Sequence, residues 1–197
     1  MALFTTTSNS VIPSNRLFTI ADVSAMPREL PSGPVDYELD NGRIITMSPT
    51  GRIHGILQGR ITAALISLAD QQGLGQTMVE VGVILWRNPD RLVGPDVAFF
   101  SKGSFPLRES AEGYLETMPD LVFEVRSKND SAADMQHKVA DYLAAGVKQV
   151  FVVDGEAKTV ARHTVGKPVE IIAEENTLHL GDIIPNFSLI LRDFFRF

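Results

Sequence analysis

The chain has 197 residues, 44% of them hydrophobic and 21% charged, a balance that fits one globular domain with a sizeable core and leaves no room for a second of ordinary size. It has no cysteine, so disulfides, thiolate zinc sites and iron–sulfur clusters are excluded, and any metal must take oxygen or imidazole ligands, a set that favours Mg²⁺ or Mn²⁺. The formal net charge of −6 opposes non-specific attraction to a polyanion, although clustered acidic metal ligands would add to that excess without describing a binding face.

Residues 1–18 are rich in Thr, Ser and Asn without a hydrophobic period and read as a flexible arm ahead of a single domain over 19–197. No basic stretch leads into an apolar run, and no uncharged apolar segment is long enough to cross a bilayer, so a soluble cytoplasmic protein is expected. TIADVSAM predicts a short helix capped by Thr19 and closed by Pro27 and Pro31. VDYELDNGRIITMSP predicts a hairpin turning at Asp40-Asn41-Gly42, where Asn and Gly tolerate positive φ. Apolar residues at Leu57, Ile61, Ala64, Leu65 and Leu68 predict a helix over 54–72, stopped by Gly73 and Gly75.

Three β-rich runs follow, TMVEVGVILW (77–86), LVGPDVAFF (92–100) and DLVFEVRS (120–127), each predicted as one strand. The stretch 101–119 reads as a long loop with room for a short helix near 109–116. Met135, Val139, Tyr142 and Leu143 predict a helix over 134–145 stopped by Gly146. QVFVVD (149–154) is a strand, and TVARHTV, VEIIAE and TLHLGD predict short antiparallel strands before the closing LILRDFF. This order predicts an α/β (α+β) fold with a mixed central sheet flanked by helices and an N-terminal β-hairpin.

Two carboxylates stand out. Period-two alternation puts Asp96 on a face with the small residues Gly94 and Ala98. Glu124 lies mid-strand among Leu121, Phe123 and Val125, where an unpaired charge is costly and a cation would serve. If the two strands are neighbours, Asp96 and Glu124 can converge on one divalent ion, and the reaction class becomes phosphodiester hydrolysis. The competing reading is a pair of buried hydrogen bonds or salt bridges, with Arg126 as a candidate partner.

GPDVAFF followed by FEVRSKNDSAADMQHKVADYLAAGVKQVFVVD resembles the core of the Uma-type family of restriction endonucleases, within the PD-(D/E)XK superfamily and formerly a domain of unknown function. YELDNGRI, then MSP, then His54 at the opening of the long helix extend the resemblance, which runs from about Tyr37 to Asp154 and less distinctly beyond. The resemblance implies a restriction-endonuclease-like fold in which Asp96 and Glu124 hold Mg²⁺ or Mn²⁺, DNA is the substrate and a homodimer cuts a dyad-symmetric site. The standard signature has lysine two positions after the second acid; here Arg126 stands there, always protonated and unable to act as a base.

Lys138, on the following helix, is implied as the replacement, and its competing reading is a lysine snorkelling to Asp134. Lys128 is a weaker candidate past the strand end. His54 either assists the site or is a satisfied structural histidine, and Glu38 either joins the site or is an ordinary exposed strand acid. Glu80 in VEVGV adds a metal ligand or faces solvent. His137, His163 and His179 lack metal-site spacing, and phosphate-loop, dinucleotide and nucleophile-elbow patterns do not occur. Trp86 and the Phe-rich tail read as packing or a subunit contact. A metal-dependent endonuclease is therefore the leading expectation, and a catalytically degenerate member of the fold that binds nucleic acid or protein is the alternative.

Overall fold

The structure, a computed structural model, describes residues 16–31, 33–47, 50–128 and 130–197. Most of the expected N-terminal arm, and Ser48 and Pro49 of the MSP motif, lie outside them. Helix α1 (Ile20–Ser24) begins at Thr19 with a reciprocal cap, the Asp22 amide donating to the Thr19 hydroxyl and the Thr19 amide to the Asp22 carboxylate. A short ladder of β1 (Glu29–Leu30) and β2 (Gly33–Pro34) leads into the hairpin of β3 (Asp36–Asp40) and β4 (Arg43–Met47). It turns at Asn41 and Gly42, with φ of 48° and 79°, as the Asn-Gly pair predicts.

Helix α2 (Arg52–Leu68) turns His54, Leu57, Gln58, Ile61 and Leu65 inward. After it come β5 (Gly75–Val79), β6 (Val83–Trp86), β7 (Arg91–Val93), β8 (Val97–Ser101) and β9 (Leu121–Val125). Helix α3 (Ala132–Ala145) is capped by Ser131 and closed by Gly146 at φ 105°, which a residue with a Cβ rarely adopts. The chain ends with β10 (Gln149–Asp154), β11 (Thr159–Thr164), β12 (Glu170–Ala173), β13 (Thr177–Leu178), β14 (Leu189–Ile190) and α4 (Leu191–Phe194).

The central six-stranded sheet has the order β12-β11-β10-β9-β8-β5; only β9 and β10 run parallel, with α3 as their crossover. Alternation along its strands feeds two cores. Val97, Phe99, Leu121, Phe123 and Val125 pack with Leu57, Ile61 and Leu65 of α2. Ala98, Phe100, Val122 and Val150 pack with Val139 and Tyr142 of α3. Phe123 and Phe151 stack with ring centroids 4.6 Å apart, tying the parallel pair together. The mixed central sheet flanked by helices is the predicted architecture.

Three expectations need correction. The run 77–86 is two strands, because Glu80 takes a left-handed φ of 52° and sends β6 into a second sheet ordered β4-β3-β7-β6. The run 92–100 is also two strands, divided where Gly94 and Pro95 interrupt the ladder, since proline has no amide to donate. The N-terminal hairpin is thus half of a four-stranded sheet. No helix forms over 109–116; a turn there closes on a Glu109–Leu115 bridge, and Leu115 also bridges to Val83. No helix of the described residues is long and apolar enough to cross a membrane. Of the aromatic residues of the tail, Phe194 and Phe195 are buried and Phe197 is exposed.

Candidate active site

Strands β8 and β9 pair as Val97 with Phe123, Ala98 with Val122 and Phe99 with Leu121. Carried one residue past its last pair, this register aligns Asp96 with Glu124 on the same face of the sheet. Asp96 sits at a bend just before β8 rather than inside a strand. There its Oδ2 is free of the ladder and accepts from the Val125 amide at 2.6 Å, a bond that fixes the carboxylate beside Glu124.

Helix α2 reaches this point from one side. His54 is buried in the first turn, and its Nε2 lies 3.1 Å from Asp96 Oδ2. Among the described residues its Nδ1 has no hydrogen-bond partner, so the ring's polar contact is with Asp96. Burial pushes the imidazole pKa down, but the hydrogen bond and charge of Asp96, with the charges of Glu124 and Asp130, more than offset this and leave it raised. One turn on, the Gln58 amide donates to Glu80 Oε1 at 3.0 Å and to the Asp96 carbonyl at 3.1 Å.

Helix α3 reaches it from the other side. Tyr142 donates to Glu124 Oε1 at 2.6 Å. Lys138 Nζ lies 3.1 Å from Glu124 Oε1 and donates to Glu38 Oε1 at 2.9 Å. Glu38 is buried on β3 and also accepts from the Gly94 amide at 2.8 Å, so it is not the exposed strand acid that alternation allowed. Asp134 does not hold Lys138; it serves the helix cap with Ser131.

The electrostatics of this cluster are unbalanced. Burial pushes the Glu124 carboxyl up to about 7; the Lys138 charge opposes the shift, and the nearby charges of Asp96 and Glu38 add to it. Burial alone would lower the Lys138 pKa, yet Glu124 and Glu38 raise it above its ordinary range, so the ammonium stays charged. Tyr142 is pushed well above its usual pKa by burial and by the same two acids. Three carboxylates from β3, the β8 bend and β9 thus face one lysine. Oxygen donors with surplus negative charge suit a hard divalent cation, so the residues fit Mg²⁺ or Mn²⁺.

Glu80 also aligns with Asp96, because β5 and β8 pair as Val79 with Val97 and the next step brings Glu80 opposite Asp96. Arg126 is not brought in: its guanidinium, 43% exposed, donates to Asp154 at 2.9 Å. Lys128 is more exposed still and lies 3.4 Å from Glu156. His163 is lowered in pKa by burial, and His179 Nδ1 lies 3.0 Å from the Phe187 carbonyl; neither meets the acids.

Sequence reasoning missed a second charged cluster beside the first. Arg91, 2% exposed, donates from Nε to Asp141 Oδ2 at 2.7 Å and from Nη1 to the Leu39 carbonyl at 2.9 Å. His137 Nε2 stands 3.4 Å from Asp40 and 3.5 Å from Asp141, so it has carboxylate neighbours that its spacing in the chain did not reveal. Among the described residues, Asp40, His137 and Asp141 are the only group of three such side chains whose ligand atoms all lie within 4.8 Å of one another; Asp96, Glu124 and Glu80 are not gathered that closely. The Arg91 guanidinium already occupies the charge of this trio, which disfavours a second cation there.

Residues 22–192 match the profile of the Uma2 family, described as "Putative restriction endonuclease", and the chain belongs to that family. Among solved structures it is similar to one described as a "putative nuclease belonging to DUF820" from Anabaena variabilis, with a TM-score of 0.74 and 17% identity over 90% of this chain and 97% of that one. The shared feature at that identity is the fold. A DrdV–DNA complex aligns at 17% identity over 71% of this chain and 80% of that one, with a TM-score of 0.37. Among curated proteins nothing matches.

Proposed function

We propose that the chain is a Mg²⁺- or Mn²⁺-dependent endodeoxyribonuclease that hydrolyses phosphodiester bonds in DNA, working in the cytoplasm as a homodimer on dyad-symmetric sites. The observation that carries this reading is the alignment of Asp96 and Glu124 across β8 and β9, with α3 returning Lys138 to Glu124. Asp96, Glu124 and Glu80 would hold the ion, which would polarise a phosphate oxygen and make water more acidic.

The chain's own groups divide the remaining work. His54 and the Val125 amide orient Asp96, and Tyr142 orients Glu124, so both carboxylates are set before a substrate arrives. Lys138 remains protonated, and its contribution is positive charge beside the reacting phosphate rather than removal of a proton. Glu38 anchors that ammonium. Arg126 can add a phosphate contact by leaving Asp154, a change of little cost for an exposed pair.

A second reading is a catalytically degenerate nuclease fold that binds nucleic acid or protein. It is favoured by Lys138, which already neutralises part of the acidic cluster, and by the net charge of −6. Mn²⁺ calorimetry on wild type, Asp96→Ala and Glu124→Ala, with supercoiled-plasmid nicking on the same samples, separates the two. Binding and nicking that both vanish in the variants support the nuclease; folded wild-type protein with neither leaves the binding module.

A further inference from the structure

We infer that Gln58 is a positioning residue that makes Glu80 a working member of the cation site, acting through Glu80 rather than on substrate. The inference rests on the nuclease reading above. Glu80 lies at the end of β5, exposed, where its carboxylate would be expected to drift in solvent. Two features prevent this.

The backbone is held at φ 52° while the Glu80 amide donates to the Pro95 carbonyl at 3.1 Å, which pins the residue against the bend carrying Asp96. A left-handed φ disfavours any residue with a Cβ, and glutamate is an unusual choice for it. The side chain is then drawn in by Gln58, whose amide nitrogen spans Glu80 Oε1 and the Asp96 carbonyl with one hydrogen on each.

Gln58 is itself buried, on the inward stripe of α2 one turn after His54. One helix face therefore orients two acids: His54 holds the Asp96 side chain, and Gln58 ties Glu80 to the Asp96 backbone. Among the described residues no lysine, arginine or histidine lies within ion-pair distance of Glu80. A neutral amide places this carboxylate without cancelling its charge, which keeps it able to bind a cation. An arginine or lysine at position 58 would hold Glu80 equally well and silence it.

The test is Mn²⁺ calorimetry with thermal melting on wild type, Gln58→Met, Glu80→Gln and the double variant. Glu80→Gln removes a ligand and Gln58→Met the outer-shell partner that places it; each is expected to weaken Mn²⁺ binding by at least about tenfold, and the double variant is expected to bind no more weakly than Glu80→Gln alone. Losses that multiply in the double variant overturn the inference, because Gln58 would then act independently of Glu80. So does wild-type affinity in Gln58→Met.

If Gln58→Met does not fold, Glu80→Gly carries the test. It removes the carboxylate and relieves the left-handed backbone, so the melting temperature should stay level or rise while Mn²⁺ affinity falls about tenfold. Mn²⁺ binding that is lost in Asp96→Ala but untouched in Glu80→Gln and Glu80→Gly sinks this inference and leaves the nuclease reading standing. A folded wild type that binds no Mn²⁺ overturns both.

Discussion

Two clusters of buried charge sit side by side in this protein, joined through Glu38, and they are neutralised in different ways. In one, Arg91 is clamped by Asp141 at 2.7 Å and the Leu39 carbonyl at 2.9 Å, with Asp40 and Glu38 at 3.9 and 4.0 Å. In the other, Lys138 spans Glu38 and Glu124 while Asp96 stands close by. A guanidinium presents a rigid fork and never loses its charge; an ammonium on a four-carbon stem can swing aside. The arginine cluster therefore fixes the hairpin sheet to α3, whereas the lysine cluster can admit another cation.

The largest effect should come from breaking the fixed cluster. Arg91→Met leaves Asp141 buried without its counter-charge and is expected to cost about 3–5 kcal/mol in urea unfolding, with the hairpin sheet loosened. Lys138→Met should cost less stability, about 1–3 kcal/mol, because Glu124 can take up a proton in compensation. Its signature lies elsewhere: plasmid nicking should fall roughly 100-fold or more while Mn²⁺ affinity holds or rises. A Lys138→Met protein that nicks normally would assign the charge role to Arg126.

A pH series sharpens the contrast. The Glu124 pKa is raised by burial to about 7, above the 4.5 of a free glutamate, so its contribution to stability is full below about 4.5 and is lost as pH rises through about 7. Metal-free protein should lose stability across that window. Mn²⁺ must displace the same proton, so its affinity should rise up to about tenfold per pH unit below 7, and Glu124→Gln should flatten the profile. Calorimetry in buffers of different ionisation enthalpy counts the released proton.

The elements legible in the sequence were those with a strong period or a marked end. The 3.6-residue stripes of α2 and α3, the Asn41-Gly42 turn and the Gly146 stop all report local physics. The break at Glu80 was not legible, because VEVGV alternates like a strand and only the sheet each half joins reveals the division, whereas Pro95 in LVGPDV was a local signal for the second break. The same holds for the site. Glu124 was visible as an acid in an apolar strand, and Gln58 could have been found as the polar residue one turn after His54. Arg91 and Asp141 are 50 residues apart and announce nothing in the chain, since their pairing exists only once β7 and α3 have packed.

The smallest expected effect tests which of the two clusters would take a cation. His137 is half-exposed and bonds no closer than 3.4 Å to Asp40, so His137→Ala should change unfolding free energy by no more than about 0.5 kcal/mol. It should also leave Mn²⁺ affinity unaltered. Asp40, His137 and Asp141 offer a tighter geometric cage than Asp96, Glu124 and Glu80, so geometry alone would favour them. Charge opposes them, because Arg91 lies against Asp141 and a divalent ion entering there would meet a fixed positive neighbour. If His137→Ala abolishes Mn²⁺ binding and Asp96→Ala does not, the cation belongs between β3 and α3.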